Sequence, residues 1–272
     1  MNKILSTIFI LFLLNITLFA SVSDKNVNLI FVVSPDLAYH TAGDIQPDTA
    51  NLTRQGLNRS LEMATYLKEK VLHSKNATSI YALSPMTHLQ TQNNYPDMTS
   101  IGYIQQFALL NQTTLKTSDS STYTANSFPI KVSYPSAFFS NCAGLDFKNT
   151  NGINDTLVSD IITKSASGFY VFSAPWETIN AMMKYINTKY KYKLDLPSEY
   201  RGSNYIYAIS ISKSLSTSLE VYNSNLKPST TYPELPKQVL RATCKNTLQP
   251  YFKSERIGGV NGVVVPSTAP LF

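Results

Sequence analysis

At 272 residues the chain is long enough for one sizeable α/β domain with a normal buried core. It is basic, with 23 Lys and Arg against 17 Asp and Glu for a net charge of +6, yet charged residues make up only 15% of it. Positive charge this sparse and unclustered excludes a dedicated nucleic-acid binder, which needs a dense basic stripe. Residues 1–23 read as an export signal. Lys3 is their only charge, Ile4 to Phe19 is mostly apolar, and small residues follow at Ala20, Ser21 and Ser23. Asn15 and Thr17 interrupt the apolar run, which is short against the roughly 20 residues of a membrane span. The pattern predicts cleavage after Ala20 or Ser23, no stable membrane insertion once the signal is gone, and a periplasmic or secreted protein of bacterial type. An uncleaved anchor is the alternative.

The first predicted strand is 28–33, where Leu29-Ile30-Phe31-Val32-Val33 stops at Ser34-Pro35-Asp36. A helix over 54–72 follows a polar loop, with Leu57, Leu61, Ala64, Leu67 and Val71 at helical spacing and Thr53 placed to cap its start. Next come a strand at 78–83, the loop from Asn93 to Met98, and a helix over 100–110. Residues 111–150 show no sustained period apart from a short strand at 129–134, and read as a long, irregular insertion over the sheet. Then follow a helix over 154–164, a buried strand at 168–173, a helix over 176–190, and alternating strands at 205–212 and 218–222.

Lys184, Lys189, Lys191 and Lys193 gather at the end of the 176–190 helix, where positive charge complements the helix dipole. Alternating strands and helices imply one α/β domain over 24–223, with a mainly parallel central sheet and helices on both faces. From 224 to 272, prolines at 228, 233, 236, 250, 266 and 270 predict an irregular tail packed on that domain. In an oxidising compartment Cys142 and Cys244 are expected to form a disulfide that ties this tail to the body. Two distant Cys and three scattered His match no zinc spacing. No metal and no cofactor are therefore expected.

The apolar strand ending at Val33, the helix start Leu52-Thr53-Arg54-Gln55-Gly56 and the strand end Ile80-Tyr81-Ala82-Leu83-Ser84-Pro85 resemble the histidine phosphatase (phosphoglycerate-mutase-like) superfamily. The resemblance covers the order of elements from about 28 to 223, with the sharp matches at 52–56 and 80–85. Members of that family carry Arg-His-Gly at the end of the first strand, an Arg three residues after the Ser-Pro, and a second His in a turn after a later strand. Here Val33-Ser34-Pro35, His88 and Ser173-Ala174-Pro175-Trp176-Glu177-Thr178 stand at those positions. A phosphohistidine reaction needs a neutral imidazole as nucleophile and fixed cations around the phosphoryl group.

The resemblance therefore implies a catalytically degenerate relative. Its former active-site cleft would bind a small ligand, an anionic one included, or a protein partner. The cleft residues it implies are Ser34, Asp36, His40, His88, Trp176 and Glu177, with Ser34, His40 and His88 as the only candidates for chemistry. A Ser-His-acid site would need the imidazole within about 3 Å of the Ser34 hydroxyl. An active phosphomonoesterase or other hydrolase with a rearranged site is the alternative.

Overall fold

The computed structural model describes residues 21–38, 43–91, 94–110, 130–131, 144–228, 239–241, 251–257 and 260–266. Residues 1–20 of the predicted signal over 1–23, His40, and both Cys142 and Cys244 lie outside the described residues.

Strand β1 (Val27–Val33) is the centre of the molecule. Leu29 through Val33 are at most 1% exposed, so neither face of the strand meets water. That explains why its sequence is a continuous apolar run and not an alternation. After β1 come the short antiparallel pair β2 (Ile45–Gln46) and β3 (Asn51–Leu52), and helix α1 (Arg54–Tyr66), which continues as one π-helical turn over Leu67–Val71. Strand β4 (Ser79–Ala82) leads through a single 3₁₀ turn, Pro85–Thr87, to the small ribbon β5 (Leu89–Gln90) and β6 (Tyr95–Pro96). Helix α2 (Thr99–Leu110) and strand β7 (Ile130–Lys131) follow. Then come α3 (Ile153–Lys164), β8 (Gly168–Ala174), α4 (Trp176–Tyr190), β9 (Tyr205–Ile211) and β10 (Thr217–Asn223).

Six of these strands form one sheet in the order β10-β9-β1-β8-β4-β7. Strands β1, β8, β4 and β7 are mutually parallel, and β9 and β10 close one side antiparallel. The sheet is sandwiched. Ile30, Val32 and Val171 face Met63, Leu67, Ile104 and Phe107 of the α1 and α2 layer. Leu29, Phe31 and Phe172 face Val158, Ile161, Met182 and Ile186 of the α3 and α4 layer. Each such side chain withdrawn from water contributes about 1.5–3 kcal/mol, so this two-faced burial is the main stabilising term. Among the described residues no helix is long and apolar enough to cross a membrane.

Two local features explain motif residues. Thr53 caps α1 through its hydroxyl, which accepts from the Gly56 N–H at 3.2 Å. A Cβ on Gly56 would stand 2.2 Å from the Asp44 carbonyl oxygen, so only glycine lets the first turn of α1 lie against that backbone. Arg59, one turn on, is buried against the same residue, Nε to Asp44 Oδ2 at 2.7 Å, and also meets Asn204 Oδ1. Of the lysines at the end of α4, Lys189 is held locally. Lys189 Nζ donates to Tyr185 Oη at 2.6 Å and to Ser159 Oγ at 2.9 Å.

The tail departs from expectation. Where the prolines predict an irregular segment, β11 (Val239–Arg241), β12 (Tyr251–Ile257) and β13 (Val260–Pro266) form a three-stranded antiparallel sheet. The reason is spacing. Pro250 and Pro266 bound a stretch with no interior proline, and β13 contains the β-branched run Val263-Val264-Val265.

Candidate functional site

Parallel strands place their C-terminal ends on one edge, and the loops leaving those ends line the crevice where open α/β sheets take ligands. Three such ends meet here. The Ser34 N–H donates to the Ala174 carbonyl at 2.9 Å, and the Leu83 N–H to the Ser173 carbonyl at 3.0 Å, so the ends of β1, β8 and β4 are in register. The described end of the insertion closes the β4 side: Leu145 bridges Leu83 in parallel and its N–H donates to the Ala82 carbonyl at 3.0 Å.

Beyond β1 the chain delivers Asp36, which is 2% exposed. Its Oδ1 accepts from the Ala38 N–H at 2.7 Å, an Asx-type turn that aims the other oxygen away from its own loop. That second oxygen, Oδ2, lies 2.8 Å from His88 Nε2. His88 follows the 3₁₀ turn after β4. Its ring stacks on Phe147 with centroids 3.7 Å apart and planes 14° from parallel, which fixes the imidazole orientation.

The third member is Asp97, fully buried between β6 and α2. Its N–H donates to the His88 carbonyl at 2.9 Å, and its Oδ1 accepts from the Thr99 N–H at 2.9 Å and the Thr99 hydroxyl at 2.5 Å. Its Oδ2 is buried without a hydrogen-bond partner among the described residues. One ligating atom from each of Asp36, His88 and Asp97 lies within 4.8 Å of the other two. Among the described residues, these three are the ones that could hold a metal ion.

Electrostatics follow from this crowding. Burial pushes the Asp97 carboxyl up to about 6, reinforced by the Asp36 charge and opposed by the Thr99 hydrogen bonds and His88. Burial works against the charged form of His88, but the hydrogen bond to Asp36 and the charges of Asp97, Asp36 and Glu177 outweigh it and raise its pKa. Glu177, in the first turn of α4, is also raised, by burial and then by Asp36. Carboxylates outnumber imidazole three to one, and among the described residues no lysine or arginine is one of the main groups acting on His88, Asp97 and Glu177.

Of the residues singled out from sequence, the fold brings Asp36 and His88 into contact and sets Glu177 within electrostatic reach of both. Ser34 points elsewhere. It is fully buried, and its hydroxyl pairs with Ser100 Oγ at 2.8 Å. The imidazole partner is therefore an aspartate and not a serine, and these contacts do not form a Ser-His-acid relay. Trp176 is 4% exposed and packs its ring on Tyr207 and Tyr200, at 5.8 and 6.3 Å between centroids. His73 takes no part in the cluster.

Asp97 is the residue that sequence reasoning missed. Its signal was an aspartate two residues before a helix start in the loop after the Ser-Pro strand end, a position that reads first as a cap. A scan against protein-family models and a search of curated proteins return no match for the chain.

Proposed function

We propose that the protein is an exported, catalytically degenerate relative of the histidine phosphatases that binds a small ligand in the crevice at the ends of β1, β4 and β8. The observation that carries this reading is the pairing of the two side chains that stand at the family's reactive positions. Ser34 is tied to Ser100, and His88 is tied to Asp36. Neither is presented as a nucleophile, and the charges around them are carboxylates, which repel a phosphoryl group. What the crevice offers instead is a set of oriented polar atoms beside buried ones that lack partners among the described residues, Asp97 Oδ2 and Glu177 Oε2. Pre-oriented polar groups of this kind fix a bound ligand.

The test is a pair of assays on the mature protein. A generic phosphate ester and a generic carboxyl ester should not be turned over. A thermal-shift panel of small polar metabolites should give a hit that is lost in His88→Ala. Turnover abolished by Ser34→Ala or His88→Ala would replace this reading with an active hydrolase.

A further inference from the structure

We infer that Asp36, His88 and Asp97 form a binding site for one divalent first-row cation of the Zn²⁺ or Mn²⁺ kind, and that this ion is the positive centre through which the crevice takes an oxygen ligand. The inference deepens the proposed binding function and rests on it only for the second half.

The geometry carries the first half. The three donors come from three separate segments, the loop after β1, the turn after β4 and the residue before α2, yet their ligating atoms converge within 4.8 Å. Around an ion with bonds of about 2.1 Å, donors stand about 3.4 Å apart in the tetrahedral shell that Zn²⁺ prefers, and about 3 Å apart for neighbours in an octahedral one. The 2.8 Å between His88 Nε2 and Asp36 Oδ2 is close to a neighbouring pair, and the Asp97 ligating atom lies within 4.8 Å of both. Binding would exchange the proton shared by those two atoms for the cation.

A second observation comes from Asp97. It is fully buried and one of its oxygens is already saturated by Thr99, while Oδ2 has no partner among the described residues. A buried carboxylate oxygen with no donor calls for a cation or a proton. Glu177 Oε2 is likewise buried without a partner among the described residues, within electrostatic reach of Asp36 and His88.

Each donor is also held from behind, as metal ligands are. Ala38 N–H holds the far oxygen of Asp36, Thr99 holds that of Asp97, and Phe147 stacks on the His88 ring. Two carboxylates with one imidazole suit Zn²⁺ or Mn²⁺. Soft Cu(I) prefers sulfur, and Mg²⁺ and Ca²⁺ prefer oxygen alone. His88 is 18% exposed against 3% or less for Asp36, so the side of the cluster toward solvent is the imidazole side, where a ligand oxygen would complete the ion's shell.

The test uses untagged mature protein stripped with EDTA and titrated with ZnCl₂ and with MnCl₂ by calorimetry, alongside Asp97→Asn, His88→Ala and the surface control Asp160→Asn. Asp97→Asn keeps the acceptor for Thr99 and removes the charge, and His88→Ala alters a partly exposed ring, so the two variants probe the site independently. Thermal melts establish that each is folded. The expected result is one ion per wild-type chain, with affinity lowered at least tenfold in both site variants and unchanged in Asp160→Asn. The cation site is overturned if no saturable binding occurs at millimolar metal, or if both folded site variants bind as wild type does. A His88-dependent small-ligand hit that persists in stripped protein with no ion bound would discard the cation and keep the crevice. Ion binding without any small-ligand hit would do the reverse.

Discussion

Ser34 Oγ, just past β1, lies 2.8 Å from Ser100 Oγ in the first turn of α2, and both residues are fully buried. Ser100 is held from its other side as well, because its carbonyl accepts from the Ser173 hydroxyl at 2.9 Å. The side chain that sequence position alone would nominate as a nucleophile is thus part of a serine relay joining β1, α2 and β8. Its role is cohesion. Ser34→Ala should leave the Ser100 hydroxyl without its partner in a dry site and cost about 1–3 kcal/mol. Ser34→Ala with Ser100→Ala should cost less than the sum of the single changes, since the second removes the group that the first leaves unpaired. Urea denaturation of the three variants measures this, and strict additivity would show that the pair is not coupled.

The Asp44–Arg59 contact makes a larger claim. Both side chains are at most 4% exposed and joined at 2.7 Å, and Gln55 Nε2 adds a donor to Asp44 Oδ1 at 3.0 Å. Removing one partner leaves a buried charge uncompensated, so Arg59→Ala should cost about 3–5 kcal/mol. Breaking the exposed Lys164–Asp160 pair, also at 2.7 Å, should cost less than about 1 kcal/mol. Equal losses from the two substitutions would show that burial does not govern these pairs.

Gly56 gives a prediction of opposite sign to the usual rule. In a helix, Gly→Ala ordinarily stabilises by about 1 kcal/mol. Here the added methyl would meet the Asp44 carbonyl oxygen at 2.2 Å, and backbone cannot swing aside as a side chain can. Gly56→Ala should therefore destabilise and lower the melting temperature, whereas Gly152→Ala, with nothing within 4 Å of its Cβ but φ at +68°, should lose stability only through backbone strain. A stabilised Gly56→Ala protein would mean that α1 does not approach Asp44 this closely.

These residues also show what sequence alone can and cannot convey. The strands and helices of the sheet domain were legible because their signals are local: unbroken apolar runs for β1 and β8, helical spacing for α1 and α4, and a cap at Thr53. The site was legible only where a strand end announces it, at Asp36 and His88; Ser34, nominated by the same strand end, turns to Ser100 instead. That Asp36 and not Ser34 would take the imidazole depends on an Asx turn at Ala38 and on ring stacking by Phe147, which lies 59 positions from His88 and enters through the bridge of Leu145 to Leu83. Asp97 was hidden for the same reason: its local signal is complete as a loop aspartate before a helix. That its Oδ2 has no partner among the described residues shows only in three dimensions.

The final prediction concerns alkaline stability and Tyr207. This residue sits in β9 with its ring against Trp176, is fully buried, and its hydroxyl has no hydrogen-bond partner among the described residues. Burial pushes its phenol up to about 12, partly offset by the positive charge of Arg201. The unfolded value is about 10, so the folded state holds the proton more tightly than the unfolded state does. Its contribution to stability is therefore fully present below about pH 10 and is lost as pH rises from there through about 12. Two pH units of difference correspond to about 2–3 kcal/mol for complete loss. Tyr207→Phe removes the titrating group and an unpaired buried hydroxyl together, so at pH 7 it should match wild type within about 1 kcal/mol or exceed it. Between pH 10 and 11.5 its stability should fall less steeply. Some slope should remain, because Tyr200, also raised to about 12 by burial, still titrates. Urea midpoints of both proteins across this range decide the matter: parallel pH profiles would show that the Tyr207 phenol ionises as readily in the folded chain as in the unfolded one.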